Sequence, residues 1–188
     1  MSLQTWQETL VSAQGDGTQI LNSSTAASII PASAKITLPN NWFNIGKALR
    51  LTLAGRITSV VTTPGTLILD FRLGAVIAWT SQAMPLNTVA KTDLPWYLQA
   101  IFTCRSIGAS TTATLMGQGF FISEDYVGVA LPATGSAGVV LANNATAPAP
   151  GTGFDSTAAL TVDVYGKFSV ATATTALTLH QYVLEALN

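Results

Sequence analysis

Apolar and polar side chains alternate along most of this chain, and a period of two marks strands with one buried face. In TLILDFRL, Leu67, Leu69, Phe71 and Leu73 fall on one side, with Thr66, Ile68, Asp70 and Arg72 on the other. ALRLTLAGRI sets Leu49, Leu51 and Leu53 against Arg50 and Thr52. Between these runs lies TSVVTTPGT, whose Pro64-Gly65 pair is a turn signal, so the two are expected to pair as a long antiparallel hairpin. Gly55 interrupts the first run and is expected to mark a bulge.

Two more hairpins follow from the same pattern. PWYLQAIFTCRSI alternates Trp96, Leu98, Ala100, Phe102 and Cys104 with Tyr97, Gln99, Ile101, Thr103 and Arg105, then turns at GAST and returns as TATLMGQGFFIS. Gly117 and Gly119 leave part of one face of that return strand bare, so another backbone or a large aromatic is expected to pack there. The third hairpin joins ALTVDVYGKFSVAT, with Leu160, Val162, Val164, Phe168 and Val170 inward, to ALTLHQYVLEAL across ATATT. On this last strand Leu177, Leu179, Val183 and Leu187 share one face, and Thr178, His180, Tyr182 and Leu184 the other. Shorter candidates near Trp6–Val11, Ile29–Thr37 and Val76–Thr80 bring the total to about eight strands, without a long helix. The expected fold is all-β: a single domain over residues 1–188, an antiparallel two-sheet β-sandwich of jelly-roll type.

One stretch breaks the pattern. Residues of about 127–156, including PATGSAGVVLANNATAPAPGTGFDS, are rich in Gly, Ala and Pro, and a loop this long in a compact domain is commonly functional. It is expected to be an intersubunit arm or lid, the alternative being a plain surface loop, with Pro148 and Pro150 favouring extended backbone. The N-terminal segment, about 1–25, is the second expected contact region.

Composition narrows the function classes. Charged residues are 9% of the chain, against roughly 25% in an ordinary soluble domain, so polarity comes mainly from Thr, Ser, Asn and Gln. A neutral surface desolvates cheaply and suits burial against other chains, in an oligomer or a larger assembly. Eight Lys and Arg are scattered and the net charge is −1, so no basic footprint for nucleic acid is present. Apolar runs such as GAVIAW fall far short of the roughly 20 residues a membrane helix needs, so no membrane partner is expected. MSLQTWQETL lacks the basic and apolar regions of a secretory signal, which implies synthesis in the cytoplasm.

Candidate chemistry is sparse. His180 is the one histidine and Cys104 the one cysteine, and they lie far apart in sequence, so neither a zinc cluster nor a disulfide is expected. Cys104 falls in a strand interior, a poor setting for a thiolate, and no G-x-S-x-G elbow accompanies His180. A pair of carboxylates such as Asp70 and Asp163 could meet as an acid–base pair, but both sit on regular strand faces, where a solvated or paired carboxylate is the ordinary outcome. Asp16 in QGDGTQ and Asp155 in GFDST each supply only one carboxylate towards calcium. Trp6, Trp42, Trp79, Trp96 and Tyr97 are read as core or subunit-contact residues rather than a sugar platform. Trp96 and Tyr97 are adjacent, and on a strand they point to opposite faces. No catalytic, cofactor-binding or metal residue is assigned, no cofactor is expected, and the chain is not expected to be an enzyme.

GRITSVVTTPGTLILDFRLGAVIAW, LPWYLQAIFTCRSIGASTTATLMGQGFFIS and GTGFDSTAALTVDVYGKFSVATATTALTLHQYVLEALN resemble small structural proteins of tailed-bacteriophage virions, over most of the chain from about Leu3 onward. The resemblance implies a head decoration (cement) protein on the phage head surface, a homo-oligomer (trimer or dimer) with the major capsid protein as its partner. It brings no catalytic motif. The alternative within the same setting is a host-recognition module on a tail or head fibre, binding surface glycan.

Overall fold

A computed structural model describes residues 7–60, 63–127, 138–143 and 148–187. In chain order the strands are β1 (Glu8–Ser12), β2 (Ile20–Leu21), β3 (Ala27–Ser28), β4 (Thr37–Leu38), β5 (Ala48–Ser59), β6 (Thr66–Leu73) and β7 (Val76–Thr80). Then come β8 (Met84–Pro85), β9 (Lys91–Ser106), β10 (Thr114–Ser123), β11 (Gly138–Ala142), β12 (Leu160–Phe168) and β13 (Ala176–Ala186). Sheet 1 runs β1-β13-β5-β9-β10-β11, with β2 also on β13; sheet 2 runs β3-β12-β6-β7, with β4 on β12 and β8 on β6. All pairings are antiparallel, so the expected all-β, two-sheet sandwich is what forms. Among the described residues there are thirteen strands rather than about eight, because β2, β3, β4 and β8 have only two residues each, too few to display alternation. Ile29–Thr37 is no strand; its one regular piece before β4 is a 3-10 turn at Ala32–Ala34.

Of the three expected hairpins, one forms. β9 and β10 pair in one register from Trp96↔Ser123 to Cys104↔Leu115, which slips by one residue before Ser106↔Thr114. β5 instead lies between β13 and β9 in sheet 1, while β6 lies between β12 and β7 in sheet 2. The Pro64-Gly65 connection therefore carries the chain from one sheet to the other, and ATATT does the same between β12 and β13. Alternation identifies the inward side chains. It does not say whether their strand partner lies alongside at about 4.8 Å or across the core at about 10 Å.

The inward faces meet in an aromatic contact that spans the two sheets. Phe71 of β6 stacks on Phe102 of β9 at 4.4 Å, and Trp79 of β7 meets Phe102 edge-on at 5.6 Å. Gly117 of β10 leaves room for this pair, since a Cβ there would sit 2.5 Å from Trp79 Cδ1 and 2.6 Å from Phe102 Cδ1. Trp79 Nε1 then donates to the Gly117 carbonyl at 3.1 Å. The bare face read from the glycines is thus filled by a large aromatic from the opposite sheet.

Gly55 does mark a bulge, but the extra residue sits on the neighbouring strand. The β13–β5 register slips between Leu179 and Gln181, leaving His180 unpaired in the ladder opposite Gly55 and Ala54. A Cβ on Gly55 would lie 2.0 Å from the Thr178 carbonyl oxygen. Beyond the bulge the inward residues become Tyr182, Leu184 and Ala186, in place of the expected Val183 and Leu187. One inserted residue exchanges the faces of everything after it.

Much of the expected arm that the structure describes is built into the domain. β11 pairs with β10, Pro150 bridges to Met116, and Phe154 bridges to Ala113 and is fully buried. Residues 128–137 and 144–147 of that segment lie outside the described residues, as do 1–6 of the N-terminal segment with Trp6. The free side of β11 is closed by a side chain: Gln82 Nε2 donates to the Val140 carbonyl at 2.9 Å, and Gln82 Oε1 accepts from the Ala142 N–H at 3.3 Å. Asn143 continues the seam, accepting from the Thr80 N–H at 3.1 Å.

Gly117→Ala is expected to destabilise the domain by about 1–3 kcal/mol through overpacking against Trp79 and Phe102. Gly15→Ala, where no atom lies within 4 Å of the added methyl, is expected to be near neutral. Urea unfolding monitored by tryptophan fluorescence checks the contrast.

Candidate functional site

The residues singled out in the sequence do not gather. His180, displaced by the bulge, places Nδ1 2.8 Å from Asp16 Oδ1 on the outside of sheet 1. Next to it, Gln19 Nε2 donates to Thr178 Oγ1 at 3.0 Å. Tyr182, expected beside His180, points into the core, where burial raises its phenol well above the ordinary range. Cys104 is buried, donates to the Ser106 carbonyl at 3.3 Å, and has its thiol pushed up by burial, which keeps it protonated.

Asp70 and Asp163 lie on neighbouring strands of sheet 2, each with its own cation. Arg72 Nη2 is 3.0 Å from Asp70 Oδ2, and Lys35 Nζ is 2.6 Å from Asp163 Oδ2. Ser28 Oγ adds a donated bond to Asp163 Oδ1 at 2.6 Å, and the Arg72 guanidinium sits 3.8 Å over the Tyr165 ring. This polar lattice secures the outer face of sheet 2. Asp155 closes its own turn, accepting from the Thr157 N–H at 2.9 Å and Thr157 Oγ1 at 2.6 Å; the Thr157 hydroxyl leads in holding its carboxyl below the usual range. Among the described residues no three His, Cys, Asp or Glu converge as metal ligands.

The described tryptophans are structural. Trp79 and Trp96 are buried, and Trp42 is half-buried, with Phe43 edge-on at 5.0 Å and Lys47 Nζ 3.8 Å over its ring. Tyr97 lies on the opposite side of β9 from Trp96, on the outer face of sheet 1.

That outer face is the feature sequence reasoning missed, and strand register lays it out. One row across β13, β5, β9, β10 and β11 reads Glu185, Arg50, Ile101, Gln118, Ala142. The next reads Val183, Thr52, Gln99, Phe120, Val140, and the third Gln181, Ala54, Tyr97, Ile122, Gly138. Ile101, Phe120, Ile122 and Val140 are 46%, 37%, 47% and 73% exposed. The Tyr97 and Phe120 rings lie 5.8 Å apart, and Gln99 Nε2 donates to Tyr97 Oη at 3.3 Å. The two charges in these rows neutralise each other, with Arg50 Nε 2.7 Å from Glu185 Oε2. That hydrogen bond leads in holding the Glu185 carboxyl below its ordinary value. A face of this kind, apolar on β9–β11 and with Arg50 and Glu185 paired, is suited to contact. Its signal in the sequence was there: Ile101, Phe120 and Ile122 occupy the polar positions of their alternations.

Asp125 was also missed. It is fully buried after β10, accepts from Ser59 Oγ at 2.7 Å through Oδ1, and its Oδ2 has no hydrogen-bond partner among the described residues. Burial dominates and pushes its carboxyl pKa up. A folded pKa above the unfolded one means stability is lost as pH rises from the unfolded value through the folded one. Asp125→Asn is therefore expected to gain stability relative to wild type as pH climbs from about 4 towards neutrality. Denaturation midpoints across that range check the trend, and a difference that shrinks with rising pH would contradict it.

No protein-family model and no curated protein matches the chain. Among solved structures it is similar to the CBM2 module of the evolved Dit of Lactobacillus casei BL23 phage J-1. The identity is 10%, the coverage 99% of both chains, and the TM-score 0.38.

Proposed function

We propose that this chain is a non-enzymatic structural protein of a tailed-phage particle, working by contact, and that it serves as a head decoration protein on the major capsid lattice. The observation that carries this reading is the open outer face of sheet 1. There Ile101, Phe120, Ile122 and Val140 stand in solvent, while the charges nearby are already paired. Covering such a face releases water from apolar surface and buries no uncompensated charge. The resemblance of the three long sequence blocks to virion proteins supplies the setting.

A second reading uses the same face differently. Tyr97 and Phe120, with the Gln99 carboxamide bonded to the Tyr97 hydroxyl, offer rings and an amide to a sugar. That suits a tail or fibre module that recognises host glycan.

Purified chain added to expanded capsids is expected to bind saturably and to raise their melting temperature. Phe120→Lys is expected to weaken that binding tenfold or more. Binding to host polysaccharide that Tyr97→Ala abolishes, with no capsid binding, would replace the decoration reading by the recognition one.

A further inference from the structure

We propose that Asp125 makes the junction between residues 85–87 and 125–127 a pH-sensitive clasp, closed while its carboxyl carries a proton and loosened once the carboxyl ionises. The junction ties the two sheets together at one end of the sandwich. Pro85 belongs to β8, which pairs with β6 in sheet 2. Asp125 follows β10 of sheet 1, in a turn where the Tyr126 N–H donates to the Ser123 carbonyl at 3.3 Å. Two backbone bonds join the strips. The Asn87 N–H donates to the Asp125 carbonyl at 2.7 Å, and the Val127 N–H to the Pro85 carbonyl at 2.9 Å. Between these bonds Leu86 bridges to Tyr126. The Asp125 side chain turns inward from the junction and meets Ser59, the last residue of β5.

That carboxyl sits in a place suited to its neutral form. It is fully buried, with one hydroxyl donor on Oδ1 and no hydrogen-bond partner for Oδ2 among the described residues. A buried carboxylate needs a cation or several donors to offset its lost hydration. Lys91, at the start of β9, is the cation whose field reaches it, and burial outweighs Lys91, Ser59 and the Asn87 N–H. On the other elements around it, Arg56 of β5 is paired with Asp93 of β9 at 3.5 Å, Glu124 is a like charge, and residues 84–87 carry none. The Tyr126 phenol, raised by burial, stays neutral. An ionised Asp125 regains water most cheaply by parting the two strips, since that breaks two backbone bonds and leaves both sheets paired. The closed clasp is therefore fully favoured below the open-state pKa of about 4, and loses ground as pH rises through the higher folded value. The loss of stability with rising pH is concentrated at this end of the sandwich.

Amide exchange of the full chain, followed residue by residue by NMR and expressed as protection factors, tests this. From pH 4 to pH 8 the factors of Asn87 and Val127 are expected to fall tenfold or more. Gly74, whose N–H bonds to the Thr161 carbonyl at the far end of β6 from Pro85, is expected to change less than twofold. Asp125→Asn, which keeps the shape but cannot ionise, is expected to hold Asn87 and Val127 within twofold over the same range. A second measurement needs no variant. The side-chain carboxyl carbon of Asp125 in the wild-type chain is expected to titrate at the pH where the fall of the two protection factors levels off. Protection that is flat with pH, that falls equally at Gly74, or that falls equally in Asp125→Asn overturns the proposal, as does a carboxyl that titrates without the amides.

Discussion

The spacing of the two sheets depends on one contact, Trp79 lodged against the bare backbone of Gly117. The indole crosses from β7 in sheet 2 to β10 in sheet 1, braces Phe102 and is anchored by its N–H on the Gly117 carbonyl. Phe102 in turn stacks on Phe71, so three aromatic rings and one glycine fix the gap where β7 passes β10. Other inward residues, mainly Leu with Ala, Phe and Ile, fill the volume this contact defines. A missing Cβ is thus as much a part of the core as the rings around it.

With the core settled in this way, the two outer faces diverge. Sheet 2 turns outward a lattice of Asp70, Arg72, Asp163, Lys35 and Ser28, in which each carboxylate has a cation. Sheet 1 turns outward the apolar rows of β9, β10 and β11. The chain has few charges; two ion pairs lie on the outer face of sheet 2, while on sheet 1 Arg50 pairs with Glu185 and Arg56 with Asp93. That distribution makes the molecule two-sided: one outer face closed by ion pairs, the other exposing apolar side chains on β9, β10 and β11.

Much of this was legible in the sequence. Alternation in TLILDFRL, PWYLQAIFTCRSI and ALTVDVYGKF gave the inward residues, and adjacency gave the opposed directions of Trp96 and Tyr97. Which strands pair was not legible where the chain changes sheets, because Pro64-Gly65 turns a chain equally well within a sheet or between two. His180 hid its bulge: a histidine can follow either face, and only the glycine on the partner strand gave the slip away. Asp125 stayed invisible because its burial comes from elements remote in sequence, Ser59 among them. The contact face was legible in principle, but single apolar residues at polar positions carry little weight until their exposure on neighbouring strands is seen.

The glutamine that closes β11 has a consequence for how copies can accumulate. A continuous sheet passed from copy to copy needs a free edge on each side of every molecule. At β11 the outward-facing hydrogen-bonding groups of Val140 and Ala142 are occupied by Gln82, so an incoming strand has to displace that carboxamide first. Blocking one edge is enough to stop growth through this sheet in either direction, since each added molecule presents the same closed side. At this edge one neutral side chain thus stands where an added strand would have to bond.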